Sequence, residues 1–390
     1  TQPFDGATAV RHPLMKEAII RFQSQAVNAL FPAAGPVRTK IVGRVHDERQ
    51  KQANRVQEDM NFWLTERMIE YRDETELLLF ALPLAGSAFR KVYQDPILGR
   101  PVAVYVPAED FVMPYGYTRL ETCPRYTHVL KQDPNDIRKL QVSGFYRDVE
   151  LSDSIPATTE LERVQADATG HQPPSEPGIG ALVPLLEMHV DVDLPGFEDL
   201  MDDGMGGVKP SGIARPYVIT IHRDSEQILS IRRNWVESDP LMLKRVHFVH
   251  YKYIPGLGSY GLGLAHLLGD GSRTATALLR QLIDAGTLSN LPAGYKSKNL
   301  RVTGNNQPIS PGEWRDVDAI GETLRDSFFP LPYKEPSATL HALLGNVVEE
   351  NRRFASLADF QVGDMNHEAP VGTTIALLER AMKVINPNHA

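Results

Sequence analysis

The chain carries a single cysteine, Cys123, among its 390 residues, so no disulfide can form within it. A lone cysteine fits a reducing compartment such as the cytoplasm. Long apolar runs are lacking too. The longest, from Leu77 to Ala85, is broken by Pro83 and falls short of the roughly 20 residues that a membrane span needs. No secretory signal opens the sequence. These absences argue against a disulfide-stabilised secreted domain and against a membrane-spanning protein.

Clusters of basic residues are also lacking. The 41 basic residues are outnumbered by 49 acidic ones, the net charge is −8, and no run of basic residues is longer than a pair. A protein that grips duplex DNA usually has a basic face, because neutralising phosphates releases counterions and supplies most of the affinity. We therefore expect no tight DNA binding by the whole surface. An acidic protein could still surround DNA and let it slide.

The size and composition are those of a globular protein with a sizeable core. The length allows about two or three domains, and the apolar share of 42% and charged share of 23% are ordinary. The chain begins at Thr1 rather than at a methionine and stops soon after a predicted helix, so we expect both ends to be trimmed. The order of the elements predicts an α+β protein.

Apolar residues recur at helical spacing in three N-terminal segments. These are Pro13 to Phe31, Asp47 to Tyr71, and Thr75 to Val92, the last with a kink at Pro83. A fourth, short helix is predicted from Asp133 to Leu140, with an aspartate N-cap followed by proline at the first helical position.

Alternating apolar residues predict strands, two pairs of them as hairpins. The predicted strands are Phe89–Tyr93 with Pro101–Pro107, Gly144–Tyr146, Leu185–Val192, Tyr217–His222 with Ile228–Arg233, and His247–Tyr253. Two segments with little periodicity, Leu151 to Gly180 and the acidic stretch Asp193 to Gly207, are predicted to be loops.

Two long amphipathic helices are predicted in the C-terminal third, one from Leu264 and one after Pro336 with Ser337 as N-cap. The first should bury Leu264, Leu267, Leu268, Ala275, Leu278, Leu279, Leu282 and Ile283; the second should bury Leu340, Leu343, Leu344, Val347, Val348, Phe354, Leu357 and Phe360. Three short β-like runs, around Tyr295, Trp314 and Phe328-Phe329, lie between them. Two such helices bracketing a small β insertion suit a helical hairpin packed side by side with copies of itself in a ring.

One glycine-rich turn matches a nucleotide-binding pattern. Gly256, Gly258 and Gly261 have the spacing of the dinucleotide fingerprint between a strand and a helix. However, two residues intervene before the helix, and the acidic residue about 20 positions further on, Asp284, falls at a helix end instead of a strand tip. We favour a glycine hinge that orients the helix, and keep a nucleotide-binding enzyme as the alternative.

No other motif predicts catalysis or metal binding. The acidic stretch from Asp191 departs from a calcium loop at Pro195 and lacks the glutamate at the twelfth place. His247 and His250 lie on opposite faces of a strand, and neither a nucleophile elbow nor a phosphate loop is present. We expect no enzyme activity, no cofactor and no metal. The loop Gly363 to Gly372 is either an ordinary connector or a functional loop with a polar tip.

Several motifs in order resemble those of bacteriophage portal proteins, the head-to-tail connectors, most closely the portals of short-tailed phages. They are Arg232–Trp235 (RRNW), Phe248–Tyr251 (FVHY), Pro255–Leu264 (PGLGSYGLGL), Arg280–Gly286 (RQLIDAG), Glu335–Ser337 (EPS) and Ala369–Thr374 (APVGTT). The resemblance runs from about Ala88 to Lys383 and is strongest after Tyr217. Several motifs in the right order are more specific than any one of them alone.

This resemblance implies a portal fold in a defined order. Its parts would be an α+β wing (1–261), stem helix 1 (264–291), a small β-rich clip (292–335), stem helix 2 (336–361), a tunnel loop (362–372), and a long helix leading back to the wing or crown (373–390). The family's crown is not in this chain. The tunnel loop would line the DNA channel with Asp364, Met365, Asn366, His367 and Glu368; the clip would dock partners through Lys296, Lys298, Arg301, Trp314 and Arg315.

The resemblance also implies partners. The chain would form a homo-oligomeric ring, a dodecamer in the family, at one vertex of the virion capsid after assembly in the host cytoplasm. Viral double-stranded DNA would pass through the ring without sequence-specific contacts. The large terminase subunit, the tail adaptors, and the capsid and scaffolding proteins would bind to it. The rival hypotheses are the nucleotide-binding enzyme and a structural scaffold that never contacts DNA.

Overall fold

The computed structural model describes residues 7–151, 182–202, 207–256, 258–290 and 334–356, isolated positions between 160 and 170, and four short strands between 294 and 330. The chain divides into two compact units. Unit 1 comprises residues 1–18 and 268–390, and unit 2 comprises residues 19–267. Both helices and sheets are present, so the α+β class is confirmed.

Six α-helices are present in the described residues. They are α1 (Leu14–Leu30), α2 (Asp47–Phe62), α3 (Glu70–Ala85), α4 (Pro134–Val142), α5 (Leu264–Asn290) and α6 (Ala338–Ser356). The predicted cap of α4 is confirmed, because the Asp133 carboxylate accepts a hydrogen bond from the backbone N–H of Asn135 at 2.8 Å. The predicted start of α6 is confirmed too, since Ser337 precedes it and its hydroxyl accepts from Leu340 N–H at 3.4 Å.

Two antiparallel sheets form the framework of unit 2. The first has the order β10-β1-β2, built from β1 (Ser87–Gln94), β2 (Pro101–Pro107) and β10 (Phe248–Lys252). The second has the order β3-β4-β5-β8-β9, built from β3 (Phe111–Val112), β4 (Arg125–Gln132), β5 (Val183–Val192), β8 (Arg215–His222) and β9 (Ile228–Arg233). Both predicted hairpins, β1–β2 and β8–β9, are confirmed.

Aromatic side chains fill the space between these sheets. Phe89 of β1 stacks on Phe111 with ring centroids 4.0 Å apart, and Phe111 in turn contacts Phe248 and Tyr126. Each of these four rings is almost completely buried. Burying an aromatic ring contributes about 1.5–3 kcal/mol by itself, so this cluster is a main source of the stability of unit 2.

Helix boundaries differ from the prediction in the N-terminal region. The helix predicted over Thr75 to Val92 is wrong beyond Ala85, because Gly86 takes a left-handed φ of +86° and ends α3 before strand β1. Glycine reaches that conformation without the steric cost that other residues pay. The helix predicted over Asp47 to Tyr71 is divided by a π turn at Trp63–Arg67. No residue of α2 is buried.

Two further predictions are wrong. Gly144 to Tyr146 is not a strand, since the backbone N–H groups of Phe145 and Tyr146 donate to the carbonyl of Leu140 and close the C-terminus of α4. The acidic stretch predicted as a loop contains β6 (Leu200–Asp202), which pairs with β7 (Val208–Pro210). The other predicted loop, Leu151 to Gly180, lies almost entirely outside the described residues.

Candidate functional site

The two long helices of the C-terminal third lie side by side in antiparallel orientation. Near one end of the pair, a Cβ placed on Gly271 of α5 would overlap the side chain of Asn351 of α6; near the other, a Cβ on Gly286 would lie 3.7 Å from the Pro336 ring, just before α6. Both spacings, 271 to 286 and 336 to 351, are 15 residues. Equal spacing with opposite direction defines an antiparallel register over about 22 Å, at about 1.5 Å of rise per residue.

Burial differs between the two helices. In α5, the apolar side chains of Leu264, Leu268, Ala275 and Leu278 are buried as predicted. In α6, none of the side chains that the structure describes is fully buried, and Leu343, which was predicted to be buried, is 46% exposed. Ile283 of α5 is exposed as well, at 37%. The apolar stripe of the pair is therefore left partly uncovered in the single chain.

Short strands join the two helices. In this insertion β11 (Gly294–Lys296) pairs with β14 (Phe328–Pro330), and β12 (Arg301–Val302) pairs with β13 (Val317–Asp318), both antiparallel. The β-like runs predicted around Tyr295 and around Phe328-Phe329 are therefore confirmed. Of the predicted docking residues, Lys296 ends β11 and Arg301 begins β12. Lys298, Trp314 and Arg315 lie outside the described residues, as do all five predicted channel residues, Asp364 to Glu368.

The glycine-rich turn before α5 is tightly packed against the end of α3. A Cβ on Gly261 would overlap the carbonyl oxygen of Gly86 and would lie 2.9 Å from that of Ile254; one on Gly263 would overlap the backbone of Gly86. Real Cβ contacts essentially never fall below 3.0 Å. Glycine is thus required at 261 and 263 by a close approach of two backbones. The hinge assignment of Gly256, Gly258 and Gly261 remains a prediction.

The polar groups of this turn are engaged in hydrogen bonds within the chain. The Gly261 N–H donates to the Ser87 hydroxyl at 2.7 Å, Ser259 donates to the Tyr117 carbonyl, and the Tyr260 hydroxyl donates to the Phe111 carbonyl at 2.7 Å. The preceding strand, β10, is antiparallel to its neighbour β1, whereas the fingerprint belongs to parallel βαβ units. This geometry argues against the nucleotide-binding alternative.

An ionic cluster that the sequence pattern does not predict lies between the two sheets of unit 2. The Lys91 ammonium of β1 contacts one oxygen of the Glu187 carboxylate of β5 at 2.6 Å, and His189 Nε2 lies 2.9 Å from the other oxygen. The side chains are 10%, 13% and 1% exposed, respectively. Burial alone would raise the pKa of the Glu187 carboxyl, but the ammonium and the imidazole outweigh burial and hold that pKa below its ordinary value.

Further imidazoles extend this cluster. Burial lowers the pKa of His128 to about 3, with a further contribution from the Lys91 charge, and burial also lowers the pKa values of His189 and His247. The three histidines are therefore neutral near pH 7. His128 and His189 are buried, whereas His247 is half-buried. The Lys91–Glu187 ion pair at the centre of the cluster links β1 of one sheet to β5 of the other.

Among the residues that the structure describes, no group of three or more histidine, cysteine, aspartate or glutamate side chains could hold a metal ion, and no helix is long and apolar enough to cross a membrane. A comparison with protein-family models finds none that matches the chain. A comparison with curated protein sequences finds no match either.

Proposed function

We propose that this chain is the subunit of a ring-shaped portal, a channel through which viral double-stranded DNA is packaged and ejected at one capsid vertex. The ordered motifs from Arg232 to Thr374 that resemble portal proteins motivate the proposal. The structural observation that carries it is the antiparallel pair α5–α6, whose apolar residues Leu343 and Ile283 are exposed in the single chain. In a ring, neighbouring copies cover such residues through contacts that repeat by rotation.

The same proposal assigns roles to the rest of the chain. The strands between α5 and α6 form the clip that docks the terminase and later the tail adaptors. ATP hydrolysis belongs to the terminase partner. The loop after α6 lines the bore with Asp364 to Glu368, which bring acidic groups close to the DNA. An acidic lining binds phosphates weakly, so the duplex slides.

Electron cryomicroscopy of the purified protein tests the ring directly. A closed ring with an open bore is the expected result. A compact monomer, or a solid particle without a bore, contradicts the proposal. Titration with labelled ATP and dinucleotides distinguishes the enzyme alternative, since the portal proposal expects no saturable binding.

A pair of substitutions tests whether the uncovered stripe holds the ring together. Leu343→Glu places a charge on the exposed apolar position, whereas His341→Glu places the same charge two residues away, about 200° around the helix. Native mass spectrometry should detect rings for the His341 variant and monomers for the Leu343 variant, with the monomer remaining folded. Rings of equal abundance in both would show that this face is not the contact.

Deleting residues 364–368 tests the channel loop separately. Rings should still assemble, while translocation or retention of DNA in a packaging reaction should fall. Loss of ring assembly after this deletion would refute the division of roles between helices and loop.

A further inference from the structure

The N-terminal residues 7–12 lie along α5, although the two segments are far apart in sequence. The backbone N–H of Thr8 donates to the Asp284 carboxylate at 2.9 Å, and the N–H of His12 donates to the Thr276 hydroxyl at 3.1 Å. Between them, Arg280 donates from Nε to the Val10 carbonyl at 2.8 Å and from Nη2 to the Ala9 carbonyl at 3.1 Å. All of these residues belong to unit 1.

The three helical side chains form a regular stripe. Thr276, Arg280 and Asp284 are spaced by four residues, so they lie on one face of α5, about 6 Å apart along its axis. Four extended residues cover roughly 13 Å, which matches the two intervals between the three side chains. The stripe thus presents an acceptor, a forked donor and an acceptor in register with an extended backbone.

The hydrogen bonds to the helical stripe engage the backbone of residues 8–12. Each of the four hydrogen bonds ends on a peptide N–H or C=O of residues 8–12, and the Val10 side chain is 44% exposed. A guanidinium is suited to this contact, because its fork of donors can reach two carbonyls at once.

The segment that follows the arm is tied to α6. His12 Nδ1 accepts a hydrogen bond from the N–H of Leu14 at 3.3 Å, at the start of α1. One turn later, Glu17 accepts from Arg352 of α6 at 3.1 Å. Residues 7–17 therefore contact both members of the α5–α6 pair, through residue pairs that are 264 to 335 positions apart in sequence.

We propose that residues 7–12 are a strap that docks on the Thr276–Arg280–Asp284 stripe, and that the stripe is a binding site for an extended peptide backbone. The strap fastens α5 to the first turn of α1, so its release frees α5 to change position relative to α6. In this chain the occupant of the stripe is the chain's own N-terminal segment. The inference rests on hydrogen-bond geometry and does not depend on the portal proposal.

Limited trypsin digestion measures how often the strap leaves the stripe. Cleavage after Arg11, which is exposed, requires the segment to leave α5, and the released peptide Thr1–Arg11 is quantified by mass spectrometry. When opening is fast relative to cleavage, the cleavage rate follows the population of the open form. Asp284→Ala and Arg280→Gln should each raise this rate about tenfold, which corresponds to about 1.4 kcal/mol.

Matched variants distinguish the loss of strap docking from a general destabilisation of the fold. Asp284→Asn keeps an acceptor oxygen and should keep a rate within about threefold of the original chain. Thr8→Pro removes the N–H that Asp284 accepts, whereas Ala9→Pro leaves intact the carbonyl that Arg280 uses. Thr8→Pro should therefore accelerate release of the peptide, and Ala9→Pro should not.

Two outcomes would overturn the strap. Unchanged rates in Asp284→Ala and Arg280→Gln would show that the stripe does not hold the segment. Equal acceleration by Thr8→Pro and Ala9→Pro would show that its backbone donors are not recognised. Ring assembly is recorded on the same samples, so absence of rings counts against the proposed portal and leaves the strap result to stand by itself.

Discussion

Two glycines of the same helix, Gly269 and Gly271, should respond in opposite ways to the same substitution. A Cβ at Gly269 would meet nothing within 4 Å, whereas one at Gly271 would overlap the side-chain amide of Asn351. That amide is itself fixed, because its Nδ2 donates to the carbonyl of Val347 at 2.7 Å. The two positions therefore share a helix and differ in what faces them.

The expected magnitudes follow from three contributions. Alanine is favoured over glycine in a helix interior by about 1 kcal/mol, so Gly269→Ala should stabilise α5 by about that amount. Gly271→Ala gains the same 1 kcal/mol but forces Asn351 to move. Overpacking costs about 1–3 kcal/mol, and the lost hydrogen bond costs about 0.5–1.5 kcal/mol. The net effect is a destabilisation of about 0.5–3.5 kcal/mol.

Native-state hydrogen exchange of amides in α5 and α6, followed by mass spectrometry, measures both effects locally. Protection should rise in Gly269→Ala and fall in Gly271→Ala. In an Asn351→Ala background the obstruction is gone, so Gly271→Ala should become stabilising. If Gly271→Ala raises protection as much as Gly269→Ala in the original chain, the two helices do not cross there and the antiparallel register is wrong.

Three further predictions concern unit 2. Lys91→Met should lower the free energy of unfolding in urea by about 3–5 kcal/mol, because it leaves the buried Glu187 carboxylate without its cationic partner. Lys139 is exposed, so Lys139→Met should change that free energy far less, and equal effects would contradict the buried pair. Stability should decline as the pH falls below about 6.5, by about 1.4 kcal/mol per pH unit for His128. The unfolded chain binds that proton, while burial holds the pKa of the folded imidazole at about 3. His128→Leu should flatten the acid-unfolding curve. An unaltered slope would show that protonation of His128 does not cause the loss of stability in acid. Gly261→Ala should destabilise the turn more than Gly258→Ala, whose Cβ would lie 4.0 Å from its nearest neighbour; equal melting temperatures would contradict the packing argument.

Elements governed by local periodicity were predicted well from the sequence. The starts of α1, α4 and α5 lie within one residue of their predicted positions, because a cap, a proline or an apolar repeat marks each of them within one or two turns. The β8–β9 hairpin was equally visible from alternation over six to eight residues. These signals act over short distances in the chain.

Errors arose where distant contacts decide the local structure. The segment after Ala85 continues the apolar pattern of α3, yet Gly86 ends the helix because the Gly261–Gly263 backbone approaches it closely. The strand that follows is then completed by β10, more than 150 residues later. The periodicity of a short window of residues contains no information about contacts between segments so far apart in the chain.

The candidate site shows the same difference between features set by local patterns and features set by distant contacts. The helix pair and its β insertion could be predicted, since their pattern is local. The Lys91–Glu187 pair could not, because its members stand 96 residues apart and each looks like an ordinary surface charge. The strap could not be predicted from the sequence either, because Thr276, Arg280 and Asp284 resemble the solvated face of any amphipathic helix.

The exposed apolar residues of the α5–α6 pair bear on how these helices meet partners. Leu268, Ala275 and Leu278 of α5 are buried, whereas Ile283 of α5 and Leu343 of α6 are exposed at 37% and 46%. Apolar side chains left in water forgo about 25 cal/mol for each Å² that could be buried. Association through α5 and α6 would cover Ile283 and Leu343, so substitutions at Leu343 should affect assembly before they affect folding.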